Sequence, residues 1–295
     1  MASSDLKKST IVRLMNVGLA AGELVAPGLA ARWVSRQWFT LPPPLRANAL
    51  PEGGEPFEVS WEHGIVRGQS WGDGPLVYLV HGWGGRSDQF AALVEALRQA
   101  GYTVVAFDAP SHGGSDPGAW GPTSTTGVEF GKALDAVFVK FGPGEAVVAH
   151  SMGALSTLLA WNHGWFGADR LVLVAPMAGY AEAMDVFQAM LSFGPRIRRR
   201  VDVRTWRRVG LDDDEFDVRN LWSRLNEQPP VLIVQDDADP QAPYAESLAL
   251  AEDMGAEFMA TTRLGHNRIL ADGEVARRII RFLEADEADV TLPAA

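Results

Sequence analysis

The chain has 295 residues, 47% of them hydrophobic, which is enough for one large domain with a buried core. Its 26 Lys and Arg against 37 Asp and Glu give a net charge of −11. This balance excludes a general nucleic-acid-binding protein, because phosphate recognition needs a basic surface. The absence of Cys excludes disulfide bonds, Cys-ligated metals and thiol catalysis, so any nucleophile must be another residue.

An apolar N-terminal stretch, residues 11–31, is predicted to form an amphipathic helix packed on the main domain. Its apolar positions recur at spacings of three and four: Ile11, Leu14, Met15, Gly18, Gly22 and Val25. Arg13 and Glu23 interrupt the stretch and argue against an integral membrane span. Lys7 and Lys8 resemble the start of a signal peptide, but Glu23 favours retention of the segment and a cytoplasmic protein. A membrane-surface helix is disfavoured because few basic residues line its polar face.

Beyond a Pro-rich hinge at Leu41 to Leu45, short apolar runs alternate with amphipathic ones, which predicts a mostly parallel sheet covered by helices. Two runs are predicted to form an antiparallel opening pair, Phe57 to Trp61 and Gly64 to Trp71. Six more are predicted strands: Leu76 to Val80, Thr103 to Phe107, Ala146 to His150, Leu171 to Ala175, Val231 to Gln235 and Ala256 to Thr262.

A long insertion, residues 178–228, separates the sixth strand from the next and is predicted to be a helical subdomain. It carries seven Arg between Arg196 and Arg208, followed by an acidic run from Asp212 to Asp217, and its nine basic and nine acidic residues cancel. Two interpretations stay open. The charges lie on solvated helices that neutralise each other, or the arginines line an entrance that favours anionic substrates or partners.

The strongest local pattern is an apolar strand that runs into His150-Ser151-Met152-Gly153 and then into an apolar helix. Such a strand–Ser–helix turn is a nucleophile elbow, in which small neighbours let the chain turn sharply and expose the hydroxyl. The alternative is an ordinary Ser that caps a helix. Ser151 also needs a base, and a base needs an orienting acid, because a hydroxyl is a weak nucleophile.

Among the six His, His266 is the favoured base, since it follows the last strand in a loop that can reach back over the sheet edge. The loop after the preceding strand supplies three candidate acids, Asp236, Asp237 and Asp239. A third motif, His81-Gly82-Trp83-Gly84-Gly85, follows the third strand. Its glycines allow a turn that would point the amides of Trp83 and Met152 at an oxyanion.

In this order the motifs resemble the α/β-hydrolase superfamily, from about Phe57 to Glu284. Asp108-Ala109-Pro110-Ser111-His112-Gly113-Gly114-Ser115 is similar to the family's D-x-P-G-H-G-x-S. Alignment of Gln235-Asp236 with the His-Gly of the family's H-G-x-x-D-x-x-V assigns the acid to Asp239. The resemblance implies an α/β-hydrolase fold with helices on both faces of the sheet and a helical cap after the sixth strand. The expected divisions are an N-terminal helical extension at 1–45, a core at 46–177 and 229–295, and a cap at 178–228.

A Ser nucleophile implies acyl transfer to water, whereas relatives that open epoxides or cleave carbon–halogen bonds have Asp at the elbow. The sequence therefore predicts a carboxylic-ester hydrolase whose catalytic residues are Ser151, His266 and Asp239. Thioesterase, lactonase, amidase and carbon–carbon hydrolase activities on the same residues remain alternatives, and so does a non-catalytic ligand-binding scaffold. Trp83, Met177 and Met184 are predicted to line a pocket for an apolar acyl group. A small-molecule ester is the expected partner, and no metal or cofactor is required.

Overall fold

The computed structural model describes residues 15–43, 46–212 and 214–285. Ile11 and Leu14 of the predicted N-terminal helix, and residues 44–45 of the predicted hinge, lie outside these ranges. The chain forms two compact units. One contains residues 41–179 and 214–295, and the other contains residues 1–40 and 180–213.

The larger unit is built on an eight-stranded sheet of order β1-β2-β4-β3-β5-β6-β7-β8. The strands are β1 (Glu55–Trp61), β2 (Gly64–Trp71), β3 (Leu76–Val80), β4 (Thr103–Asp108), β5 (Gly144–His150), β6 (Ala168–Val174), β7 (Val231–Asp236) and β8 (Glu257–Thr261). β2 pairs antiparallel with β1 and with β4, and all other neighbours are parallel. The predicted mostly parallel sheet is thus confirmed, although β6 begins three residues before the predicted Leu171.

Helices cover both faces of this sheet, which explains why its central strands are apolar at consecutive positions. One group packs through α3 (Ala91–Gln99) and α11 (Gly273–Glu284), and the other through α4 (Gly127–Phe141), α5 (Met152–Asn162), α8 (Val218–Ser223) and α9 (Tyr244–Met254). The short helix α10 (Gly265–Arg268) and three 3-10 turns, Ser87–Phe90, Asp214–Phe216 and Ile269–Ala271, complete the unit.

Alternate residues of the parallel strands form the main core with α3 and α11. Val77 and Leu79 of β3 and Val148 of β5 pack in one buried cluster with Leu97 and Phe282. Their neighbours Tyr78 and Val147 point to the opposite face, where they are also fully buried. The sheet is therefore a rigid platform, and the loops at its carboxyl edge can present side chains from fixed positions.

The smaller unit is helical. Residues 15–25 form α1, and α2 (Pro27–Trp38), α6 (Tyr180–Leu191) and α7 (Pro195–Val209) complete it. The Trp38 ring packs edge-on against Tyr180 and Phe187, with centroids 5.7 and 5.1 Å apart. The Glu23 carboxylate of α1 accepts hydrogen bonds from the first free N–H groups of α7. This tertiary contact caps α7 and favours a negative charge at the positive end of the helix.

The N-terminal segment differs from its predicted orientation. Gly18 and Val25, which the spacing assigned to the packed face, are exposed, and Leu19 is buried instead. In the part of the chain that the structure describes, no helix is long and apolar enough to cross a membrane.

The predicted domain limits can be set beside these units. Residues 180–213 of the predicted cap belong to the same compact unit as residues 1–40, whereas residues 214–228 belong to the unit that contains the sheet. Whether residues 178–228 act together as a cap stays a prediction.

Candidate active site

Ser151 lies between β5 and α5 with backbone angles φ 55° and ψ −123°. A non-glycine residue rarely adopts a positive φ, and strain of this kind costs about 1–3 kcal/mol. The turn is held on both sides, because Ser151 donates its N–H to the Val174 carbonyl and accepts from the N–H of Met177. The strand–Ser–helix turn therefore has the geometry expected of a nucleophile elbow.

Small residues make this sharp turn possible. A Cβ on Gly153 would lie 2.6 Å from the Val80 carbonyl oxygen, and one on Gly82 would lie 2.7 Å from the Cβ of Ser151. Both distances are shorter than non-bonded atoms tolerate. The glycines therefore let the end of β3 and the following loop approach the elbow closely.

The structure brings Ser151, His266 and Asp239 into one hydrogen-bonded chain. The Ser151 hydroxyl lies 2.9 Å from His266 Nε2, and His266 Nδ1 lies 2.7 Å from Asp239 Oδ2. Since an ionised carboxylate can only accept, Nδ1 carries the proton and Nε2 accepts from the hydroxyl. The three residues come from the ends of β5, β7 and β8, so the carboxyl edge of the sheet assembles them.

The Asp239 side chain is fully buried, and its second oxygen accepts the backbone N–H groups of Gln241 and Ala242 at 2.8 and 3.2 Å. Burial alone would raise the pKa of this carboxyl. The hydrogen bond from His266 and the two backbone bonds outweigh that effect and hold the pKa below its usual range. Asp239 is therefore an anion at neutral pH, fixed in the orientation in which it contacts His266.

The two alternative acids occupy different positions. Asp237 is exposed. Asp236 is buried and accepts hydrogen bonds from the Thr261 hydroxyl and the Leu264 N–H, both at 2.9 Å. Burial would raise the pKa of Asp236, but the backbone N–H groups that it binds lower it. Asp236 thus ties the loop that carries His266 to the end of β7, and among the described contacts Asp239 is the carboxylate that reaches the imidazole.

The amides of Trp83 and Met152 are available to a ligand. Among the described residues, neither backbone N–H has a hydrogen-bond acceptor. Met152 occupies the first position of α5, where a helix leaves its N–H groups without intrahelical partners. Both predicted donors thus keep a free N–H close to Ser151.

Two neutral histidines hold the loop that carries Trp83. The Ala109 N–H donates to His81 Nε2 at 2.9 Å, and the Gly84 N–H donates to His112 Nε2 at 3.0 Å. Each ring therefore carries its proton on Nδ1, which donates to a carbonyl, that of Gly82 for His81 and that of Pro110 for His112. Protonation of either ring would remove an acceptor that positions this loop.

A third histidine contacts His266. His150 donates from Nε2 to the carbonyl oxygen of His266 at 2.9 Å, and the two rings lie with centroids 4.7 Å apart. The His150 side chain is buried, and its Nδ1 has no partner among the described residues. Burial, reinforced by the neighbouring His266, lowers the pKa of His150 to about 3.

These buried histidines predict a pH-dependent stability. Burial, together with the neighbouring His81, also lowers the pKa of His112 to about 3, against 6.5 for an unperturbed imidazole. Below pH about 6.5 the unfolded chain binds protons that the folded chain excludes. The free energy of unfolding should then fall by up to about 1.4 kcal/mol per pH unit for each histidine. Urea unfolding at pH 7.5 and at pH about 5 measures this loss.

A matched pair of variants assigns the effect. In His150→Gln the amide nitrogen can replace Nε2 as donor to His266 without titrating, so the variant should lose less stability at low pH than the native chain. The exposed His163 gives the control, because His163→Gln is expected to keep the native pH dependence. An unfolding midpoint that is constant between pH 7.5 and 5 would contradict the prediction.

The predicted substrate-contact residues differ in position. Trp83 and Met177 are half-buried and pack together against the buried cluster of Ala109, Phe130 and Met152. They present an apolar surface beside the free amide of Met152. Met184 lies in α6 of the smaller unit and is completely buried, so it adds no solvent-accessible surface to a pocket.

The sequence analysis did not assign supporting roles to several polar residues. Asp108 accepts the N–H of Ser87 with one oxygen and that of Gly114 with the other, both at 2.8 Å. It thus joins the chain after the Trp83 loop to the segment that contains His112. The available signal was a polar residue at the end of an apolar strand, which Asp108, His150 and Asp236 share. No group of three potential metal ligands occurs within residues 15–43, 46–212 and 214–285.

A family model described as "Alpha/beta hydrolase family" matches residues 77–293, which is more than half of the chain. The chain belongs to this family. The match confirms the predicted fold, and it includes Ser151, Asp239 and His266 of the α/β hydrolase.

Solved structures are similar in fold to this α/β hydrolase at low sequence identity. An esterase from Pyrococcus furiosus superposes with a TM-score of 0.63 at 19% identity, covering 83% of this chain and 97% of its own. A thermophilic esterase from Thermogutta terrifontis gives 0.60 at 16%, covering 78% and 98%. A thioesterase domain from the curacin biosynthetic pathway gives 0.57 at 17%, covering 79% and 100%. No curated protein sequence matches the chain.

Proposed function

We propose that this α/β hydrolase is a serine hydrolase that cleaves carboxylic esters through an acyl-enzyme. The observation that carries the proposal is the hydrogen-bonded chain from the Ser151 hydroxyl through His266 to the anionic Asp239. The free amides of Trp83 and Met152 beside the hydroxyl supply the second requirement, donors for a developing oxyanion. The similar esterases and the membership of a hydrolase family support the same reaction class.

The first half-reaction forms the acyl-enzyme. Ser151 Oγ attacks the ester carbonyl carbon while His266 Nε2 takes the hydroxyl proton, so the carbonyl oxygen becomes the oxyanion that the two amides bind. Collapse of this intermediate breaks the carbon–oxygen bond to the alcohol. The imidazolium returns its proton to the alkoxide, which leaves as the alcohol.

The second half-reaction restores the enzyme. Water attacks the acyl carbon, again with His266 Nε2 as proton acceptor, and the proton returns to Ser151 Oγ as the acid leaves. Asp239 stays ionised throughout, because its role is to hold the imidazole and to stabilise the positive charge that forms on it. Every proton is thus conserved within the three residues, the ester and water.

Thioesters are the second candidate substrates, because the similar structures include a thioesterase domain. The same nucleophile attacks either carbonyl, and discrimination lies in pocket contacts around the leaving group. Steady-state comparison of an oxygen ester and a thioester with the same acyl group separates the two. A kcat/KM larger for the oxygen ester supports the esterase assignment.

The proposal includes a cap formed by residues 178–228. This insertion leaves the sheet directly after β6, next to Met177, whose N–H contacts the Ser151 carbonyl. Its position in the chain is where family members carry a cap, and an apolar acyl group would contact Trp83 and Met177.

A fluorophosphonate probe tests the nucleophile directly. A phosphonate is attacked only by an activated hydroxyl, so the folded protein should form one adduct, located at Ser151 by mass spectrometry of the digested peptide. Protein unfolded in urea provides the control and should not react, because unfolding separates Ser151 from His266. An unmodified Ser151 in folded protein would favour the non-catalytic scaffold.

A further inference from the structure

Helix α1 exposes an apolar face to solvent. Besides Gly18, its exposed positions carry apolar side chains that recur at spacings of three and four along the helix: Val17, Ala20, Ala21, Leu24 and Val25. The largest of these side chains are 68, 75 and 84% exposed at Val17, Leu24 and Val25. A surface helix of a globular protein normally turns such a stripe toward the core, whereas α1 turns it toward solvent.

The polar contacts of α1 are made on its other side. Leu19 is buried, and the carboxylate of Glu23 is occupied by the N-terminus of α7. These contacts fix the orientation of the helix within its unit. The apolar face is therefore held outward by a charged anchor rather than exposed by the absence of packing.

Helix α2 of the same unit also exposes apolar side chains, together with arginines. Leu29 is 67% exposed and Trp33 is 39% exposed, and the exposed Arg32 and Arg36 follow on the same helix. A partly exposed Trp beside Arg is typical of a side chain that lies at the boundary between an apolar phase and water.

Helix α7 presents a row of cations. Five arginines recur at positions of one helical face and are exposed: Arg196, Arg199, Arg200, Arg204 and Arg207. None of the five is ion-paired with a described residue. By contrast, Arg198 on the inner side of the helix pairs with Asp185 and Asp202. Arg208 packs over the Phe39 ring at 4.0 Å. The helix thus separates two arginines with structural contacts from five whose charges are exposed to an anionic surface.

Only this unit carries a net positive charge. Residues 1–40 and 180–213 contain 12 Lys and Arg against 7 Asp and Glu, whereas the rest of the chain contains 14 against 30. An anionic partner would therefore be attracted to the smaller unit and repelled by the larger one. Two copies of this unit would repel each other because both carry a net positive charge, which disfavours a second copy as the partner that covers the apolar face.

We infer that the helical unit of residues 1–40 and 180–213 docks the protein on a membrane surface that contains anionic lipid. Acyl chains accept the apolar face of α1, and phosphate headgroups accept the arginines of α7. A nucleic acid would satisfy the arginines and leave the apolar face in water. Residues 15–25 of α1 include no Lys or Arg, and in the folded unit α7 provides the cations that an interfacial helix needs.

Co-sedimentation of the full chain with lipid vesicles tests this inference without using enzymatic activity. Vesicles of phosphatidylcholine with about 30 mol% phosphatidylglycerol should bind the protein, and vesicles of phosphatidylcholine alone should bind it at least about tenfold more weakly. Raising the salt concentration to about 0.5 M should weaken binding to the anionic vesicles, because the charges are exposed and screened.

Two pairs of matched variants assign the binding. Arg200→Gln with Arg204→Gln removes two charges one turn apart on α7 and should weaken binding about 30-fold. Arg277→Gln with Arg281→Gln makes the same change on α11 and should bind like the native chain. Val25→Asn, combined with Leu24→Asn, should weaken binding about tenfold or more. Val139→Asn, at an equally exposed Val of α4, should not.

Far-ultraviolet circular dichroism and thermal unfolding of each variant show whether it folds. The inference is overturned if anionic and neutral vesicles bind equally, or if the α11 arginine pair weakens binding as much as the α7 pair. It is also overturned if the protein ignores both kinds of vesicle and sediments as a dimer that Leu24→Asn with Val25→Asn dissociates. In that case a second copy covers the apolar face.

Discussion

Replacing Ser151 with Ala is expected to lower the kcat for an activated ester such as p-nitrophenyl acetate by about 10⁶-fold, close to the background rate. The hydroxyl is the atom that forms the acyl-enzyme, and no Cys can substitute for it. The fold should persist, because the Ser151 backbone contacts to Val174 and Met177 do not use the side chain.

The control for this prediction is Ser223→Ala, at an exposed Ser of α8, which should retain native turnover. Urea unfolding of both variants should give midpoints near that of the native protein. Ala adds no atoms that could clash, and it must adopt the same positive φ that the surrounding fold imposes on Ser151. A Ser151→Ala protein that turns over the ester at the native rate would refute the proposed mechanism.

The fold could be predicted because its strands are apolar on both faces. Continuous runs such as Leu76 to Val80 and Val231 to Gln235 are typical of strands that helices cover on both faces. This pattern predicts a parallel sheet in which strands and helices alternate along the chain. The sharp turn at Ser151 could also be predicted, because the small residues around it are visible in the sequence. Small residues are required wherever the chain passes close to a neighbouring loop, as Gly82 and Gly153 do.

The choice among Asp236, Asp237 and Asp239 could not be made from the chain alone. All three follow the same strand, and their directions depend on how the loop folds back on residues distant in sequence. In the structure, Asp236 is occupied by Thr261 and Leu264, which leaves Asp239 to reach His266. Only the family resemblance, which carries this tertiary information, favoured Asp239 in advance.

The orientation of α1 could not be predicted either, because its polar residues, Asn16 and Glu23, do not mark the side that faces solvent. Spacing identifies a face only when polar residues mark the opposite one. Here Glu23, the one acidic residue of the helix, points inward and accepts the N–H of Arg196 at the start of α7, 173 residues later in the chain. The apparently polar side is therefore the packed side, and the apolar side is left in solvent.

The charge pattern of the insertion shows the same dependence on tertiary contacts. The basic and acidic residues of the insertion are equal in number, but they make different contacts. Asp217 accepts the Asn220 N–H and caps α8, and Arg198 is paired with Asp185 and Asp202. Net neutrality thus conceals an α7 face of five exposed arginines that form no ion pair with any residue the structure describes, a feature that a count of charges in the sequence does not show.

Replacing Asp239 with Asn is expected to lower the kcat for the same ester by about 10⁴-fold while KM changes little. Asn is nearly the same size, so the loop can fold as before. Its amide nitrogen would donate where the carboxylate accepts, and His266 would then carry its proton on Nε2 and could not accept from Ser151. The positive charge that forms on the imidazole would also lose its counter-ion.

The neighbouring carboxylates separate this effect from a general loss of charge. Asp237→Asn removes an exposed carboxylate two residues away and should keep the native kcat. Asp236→Asn alters the bonds that hold the His266 loop and should lower the unfolding midpoint as well as the rate, because the carboxylate accepts from Leu264 and Thr261. Among the three Asn variants, only Asp239→Asn should leave stability near native while kcat collapses. Equal kcat for the Asn variants at 237 and 239 would show that the carboxylate bonded to His266 in the structure is not the one that orients it during turnover.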